Sequence, residues 1–238
     1  VKRAWPILTF ALVFASFGFD AYARTSSELA APTELVRTAF LLTLLAFAPT
    51  IFITMTSFIR IGVVLAMVRH AFGMPETPPN AVLVSLAILL TSFVMAPTFT
   101  TIHHDALEPL LAGRISLDAA IDQGAEPLRR FMLAQTREDD IAAIYAIARE
   151  DPPNTPEEVS ILKLAPAFIL NELRVSFTIG FVILLPFLLI ELVVASVLLS
   201  LGMMMVPPAT ISLPIKILMF VLIDGWALVI EGVTGSFR

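Results

Sequence analysis

Three ionisable residues, Glu191, Lys216 and Asp224, sit inside long apolar runs of this 238-residue chain, and the chemistry open to them is that of charge held out of water. A charge at bilayer depth costs about 2.5–3.5 kcal/mol on insertion scales, so it faces a bundle interior, pairs, or lines a water path. Glu191 stands 11 residues before Gly202, and Lys216 stands 8 after Pro208. At about 1.5 Å per residue they lie roughly 16 and 12 Å from the turn between them, close enough in depth to pair across a hairpin. An ion pair fixing hairpin register or a subunit contact is the expected role, ahead of a proton relay. Asp224 completes the expected buried charge network.

Other chemistry finds little support. The histidines, His70, His103 and His104, form no H-E-x-x-H motif. Adjacent residues of a regular helix cannot face one ion, so His103 and His104 read as a polar pair at a loop edge, and no metal site is expected. The sequence has no P-loop, no G-x-S-x-G and no G-x-G-x-x-G. Asp224-Gly225 has no matched aspartate in another apolar segment, as an intramembrane aspartyl site would need. With no cysteine, disulfides, thiolate metal sites and cysteine nucleophiles are excluded. The expected protein is not an enzyme and takes no cofactor.

The element that must position Glu191 and Lys216 is the 41-residue stretch from Val175 to Ile215, whose one formal charge is Glu191. Since a helix needs about 20 apolar residues to cross a bilayer, this is a hairpin of two helices. Gly202, Pro207 and Pro208 supply its tip, because Gly tolerates left-handed backbone and Pro cannot continue a helix. Met203, Met204 and Met205 sit at that tip. Ser176-x-x-x-Gly180 and Ser196-x-x-x-Ser200 place small residues one turn apart, as helix-packing seams do.

Composition agrees with a membrane setting: 58% of residues are hydrophobic, 15% are charged and the mean hydropathy is +0.89, against about 25% charged in soluble domains. The net charge of −5 and the absence of a basic stripe argue against nucleic acid. Residues 1–23 have the plan of a cleaved signal peptide: Lys2 and Arg3, an apolar stretch, then Ala21-Tyr22-Ala23, so that the mature chain begins at Arg24. The remainder, 24–238, reads as a single all-α, polytopic membrane domain of helical hairpins with four apolar helices, at 38–59, 77–102, 175–201 and 206–230. A short loop carrying Arg60, Arg69 and His70 is expected on the cytoplasmic side. Between them, 103–165 is an acidic insert; from Asp105 to Lys163 it holds twelve acidic and six basic residues, which places it outside, in the periplasm. It is expected to be helical, with starts at Thr136-Arg137-Glu138-Asp139 and Thr155-Pro156-Glu157-Glu158 and a stop at Asp151-Pro152-Pro153-Asn154.

The runs Gly180 to Leu198, Gly202-Met-Met-Met-Val-Pro-Pro208, Ser212-Leu-Pro-Ile-Lys216 and Phe220-Val-Leu-Ile-Asp224-Gly-Trp226 resemble the FliP family, as do Met55-Thr-Ser-Phe-Ile-Arg60 and Thr77-Pro-Pro-Asn80. These are export-gate proteins of the flagellar type III secretion apparatus, with relatives in virulence injectisomes. The resemblance covers about Leu41 to Trp226 outside the acidic insert. It departs from the family's usual pattern at Glu191, where aspartate is common.

The resemblance implies several FliP copies joined with FliQ-like and FliR-like subunits in a conical, helical gate. FlhA-like and FlhB-like export proteins would be further partners, and unfolded export substrates would pass through. It implies a bacterial inner-membrane location at the flagellar basal body, with much of each subunit above the membrane plane. The family's methionine-rich loop, at the narrowest part of the channel, falls on Met203, Met204 and Met205. A signal sequence favours the flagellar branch over an injectisome subunit. Two other classes stay open: a stand-alone membrane transporter or channel, for which Pro97 and Pro186 would mark the binding site, and a membrane-embedded enzyme, which would need convergent catalytic groups that the sequence does not show.

Overall fold

In the computed structural model, which describes residues 32–73, 77–153 and 155–237, helices account for the architecture and no strand occurs among the described residues. The signal-like segment and Arg24 lie outside the described residues. The chain divides into two units, 1–48 and 49–238. Helix α1 (Pro32–Thr54) begins in the first unit, and its Pro49 belongs to the second.

The second unit is organised around α2 (Phe58–Ala71). Ile61, Val64, Leu65, Val68 and Ala71 recur at helical spacing and are all buried. Burial of each such side chain contributes about 1.5–3 kcal/mol, which lets a 14-residue helix serve as the centre. Against it pack α3 (Asn80–Val94), α8 (Ile161–Ser200) and α10 (Gly225–Gly235). Arg60, Arg69 and His70 are therefore helical, not a loop, and Arg60 is fully buried. Hydropathy assigns an arginine to water; this one is desolvated because a carboxylate meets it inside the fold.

From α3 the chain passes through α4 (Ala96–Ile102), a single π turn (His103–Leu107) and the short α5 (Glu108–Leu111). The acidic region then folds as α6 (Leu117–Gln135) and α7 (Glu138–Ala148). Its boundaries differ from the sequence expectation. The Thr136 hydroxyl bonds back to the Met132 carbonyl and closes α6, leaving Arg137 as the cap of α7. Helix α7 stops at Arg149, in left-handed conformation, ahead of Asp151. Thr155-Pro156 opens only one 3-10 turn, because Val159 is drawn extended into a buried cluster with Met132, Tyr145, Leu164 and Phe168.

Helix α8 begins at Ile161, not Val175, and runs 40 residues, about 60 Å. Asn171, Glu172 and Arg174 interrupt the hydropathy there but not the helix, since each finds a partner. Asn171 Nδ2 donates to the Gln135 carbonyl, and Arg174 holds Asp140 in a two-pronged pair at 2.7 Å. Beyond them the helix turns apolar and bare: Phe181, Leu189, Leu192 and Val193 are all exposed.

Helix α9 (Pro208–Leu222) returns along α8. Among the described residues, α8 alone is long and apolar enough to cross a membrane unbroken; three bent pairs pass the same test jointly, Ala46–Thr54 with α2, α3 with Ala96–Leu111, and α9 with α10. These pairs bend by 68°, 65° and 67° where hydropathy reads continuous spans. Pro97, without a donor, breaks the ladder after buried Met95. Asp224, at φ +50°, turns the chain into Gly225, where a Cβ would lie 2.1 Å from the Phe220 ring.

Candidate functional site: the methionine tip and its supports

The C-terminal end of α8 unwinds at Leu201, and Gly202 takes φ +72°, a left-handed angle that costs glycine nothing. The Gly202 N–H donates to the Leu199 carbonyl and the Met203 N–H to that of Leu198, closing the helix. Pro207 caps α9 and Pro208 occupies its first position, where a missing donor does no harm. Between these fixed ends Met203, Met204 and Met205 are 44%, 80% and 96% exposed. Three apolar side chains thus stand on a defined turn, Met203 half-covered and Met204 and Met205 largely bare among the described residues.

Two rungs hold the arms in register. Lys216 Nζ donates to Glu191 Oε2 at 2.6 Å, and one turn farther from the tip the rings of Phe187 and Phe220 lie 6.2 Å apart. Both rungs are symmetric about the Met203–Met204 bond, so each fixes the same alignment. Phe72, just beyond α2, packs edge-on against both rings at 5.5 and 4.8 Å, and Trp226 closes on Phe220 at 5.4 Å. This aromatic cluster anchors the hairpin to the central helix. Asp224 stands exposed at the α9–α10 break, on left-handed backbone and outside the Glu191–Lys216 contact.

The pair is asymmetric. The Lys216 side chain is 5% exposed, whereas that of Glu191 is 43% exposed. Glu191→Ala strands a buried ammonium and is expected to cost about 3 kcal/mol; Lys216→Met leaves a carboxylate that water can reach and should cost about 1 kcal/mol or less. Thermal inactivation of the two variants in detergent checks the order. The exchange Glu191→Lys with Lys216→Glu should recover part of the loss, and an exchange no better than its worse single variant would refute the pairing.

A second charged centre carries no sequence signal strong enough to single it out. Arg60 Nε donates to Glu172 Oε2 at 2.9 Å, and the adjacent Nη2 meets Glu172 Oε1. Nη2 also donates to Gln135 Oε1 at 3.2 Å, while Nη1 donates to the Ser236 carbonyl and Oγ at 2.8 and 3.0 Å. All five N–H donors of the guanidinium are used. The Phe237 ring covers its face at 3.9 Å. One side chain thereby ties α2 to α6, α8 and the segment after α10.

Small residues behave differently in the two seams. Ser176 and Gly180 are buried where α8 meets α2, with Gly180 against Met67. Ser196 and Ser200 are exposed and bond to their own helix, at the Leu192 and Val197 carbonyls.

The FliP family matches residues 41–233. A flagellar biosynthetic protein FliP of Pectobacterium carotovorum subsp. carotovorum is 50% identical over 202 residues, covering 85% of this chain and 78% of that protein. The protein so named in Bacillus subtilis (strain 168) is 46% identical over 213 residues, covering 90% and 96%. That of Caulobacter vibrioides (strain ATCC 19089 / CIP 103742 / CB 15) is 46% identical over 205 residues, covering 86% and 77%.

Proposed function

Because the chain belongs to the FliP family, we propose that it is a subunit of the flagellar type III export gate in the bacterial inner membrane, and that Met203, Met204 and Met205 line the constriction through which unfolded flagellar substrates pass. The observation that carries this reading is the methionine tip: exposed, apolar and held by two rungs in fixed register. A lone chain gains nothing by presenting three bare methionines on a rigid support. A ring of such tips closes on itself, because methionine is unbranched and flexible enough to fill an irregular gap.

The gate consists of several copies of this chain with FliQ-like and FliR-like subunits, and works with FlhA-like and FlhB-like proteins. The bare face of α8 supplies apolar surface for neighbouring subunits or lipid. Part of the chain, including the acidic α6–α7 region, stands on the periplasmic side. The work is passage and closure, and no catalytic step is assigned to any residue.

Since the sequence contains no cysteine, a single Met204→Cys variant has one thiol, and a cross-linked dimer of this chain formed on oxidation of membranes containing it reports contact between two tips. The expected result is dimers cross-linked through residue 204, together with co-purified FliQ-like and FliR-like subunits. A variant that purifies without them and forms no cross-link under oxidation would refute the gate and favour a stand-alone transporter.

A further inference from the structure

The two adjacent histidines lie on a π turn, His103–Leu107, the one such turn among the described residues. In an α-helix His103 and Glu108, five positions apart, would project about 140° from each other. Here the Glu108 N–H donates to the His103 carbonyl, the wider bond of a π turn. The widened turn stacks residue 108 on residue 103 and leaves His104 beside both. Ligand atoms of His103, His104 and Glu108 all come within 4.8 Å of one another.

The spacing suits ligands of one ion as well as a direct i,i+4 contact. His104 Nδ1 lies 3.3 Å from Glu108 Oε2. Two donors bound tetrahedrally at about 2.0–2.1 Å from one ion stand about 3.3 Å apart. The other carboxylate oxygen, Oε1, accepts from Arg114 Nη2 at 3.2 Å. That contact orients Glu108 with Oε2 toward the imidazoles, as outer partners of metal-binding carboxylates do. The two imidazole rings stand edge to face at 5.7 Å, so their planes are nearly perpendicular. All three side chains are exposed and open to an ion from solution.

We propose that His103, His104 and Glu108 form a binding site for a divalent transition-metal ion of the zinc class. Two imidazoles and a carboxylate suit Zn²⁺, with Cu²⁺ and Ni²⁺ as competitors, and not the oxygen-seeking Mg²⁺ or Ca²⁺. Three protein ligands leave a fourth position for water or for a donor on another chain. A bound ion would lock the π turn, which joins the bent apolar pair α3–α4 to the acidic helices.

The test uses the full chain in detergent, without a polyhistidine tag, stripped with chelator and titrated with Zn²⁺ by calorimetry. One equivalent should bind, and His103→Ala, His104→Ala and Glu108→Gln should each weaken binding about tenfold or more. His70→Ala, which removes the remaining histidine of the sequence, should leave it unchanged. With Cu²⁺ as probe, paramagnetic resonance should show coupling to two imidazole nitrogens, reduced to one in His103→Ala. The proposal is overturned if the wild-type chain binds Zn²⁺ no more tightly than the His103→Ala, His104→Ala double variant, or if His70→Ala weakens binding as much as His103→Ala.

Discussion

Arg60→Ala is expected to destabilise the fold by about 3–5 kcal/mol, the usual cost of leaving one member of a buried ion pair uncompensated. Glu172 has no exposed side-chain surface and would keep its carboxylate buried without a counter-charge, while Gln135 and the Ser236 carbonyl would lose their shared donor. Arg60→Lys should recover little. A lysine restores the charge, but its three donors on one nitrogen cannot reproduce a planar fork that meets Glu172, Gln135 and Ser236 together. Thermal inactivation of the purified chain and the yield of assembled complex both read the effect. If Arg60→Lys matches the wild type in both, the node matters as charge alone and the geometric account fails.

Replacing Met203, Met204 and Met205 together with alanine is expected to leave the chain folded and assembled but to open the closed gate to ions and small solutes. The side chains are mostly exposed, and surface substitutions generally fall within about 0.5 kcal/mol. What the triple variant removes is deformable volume at the tip of every copy. In the proposed gate, alanine would be too short to span the gap that the methionines would fill. Solute permeability of cells expressing the complex, measured beside export of a flagellar substrate, decides the matter. A triple variant that assembles, stays impermeable and still exports would reduce the methionines to surface residues.

The two predictions rest on features that differ in how far the sequence announces them. The tip is written locally: Gly202, Pro207 and Pro208 are breakers at short range, and helical rise places Glu191 and Lys216 at similar depths. Nothing local joins Arg60 to Glu172, which are 112 positions apart; hydropathy sends both to water and divides α8 at Val175. The bends at Met95 and Asp224 escaped for a related reason, since an apolar run reports what surrounds a helix and not whether its axis is straight. At the π turn that starts at His103, Gly124 of α6 packs beside Ala106 and Ile102, a contact distant in sequence. A reading confined to regular helices therefore set the two histidines apart.

The symmetric rungs also make the hairpin a ruler. With Phe187 facing Phe220 and Glu191 facing Lys216, the number of residues between rung and tip fixes how far the methionines reach and which way they point. One residue inserted after Glu191 would advance α8 by about 1.5 Å and swing its end by about 100° relative to the opposite arm. In the proposed gate the aperture would then depend on the chain length between Glu191 and Lys216 as strictly as on side-chain type.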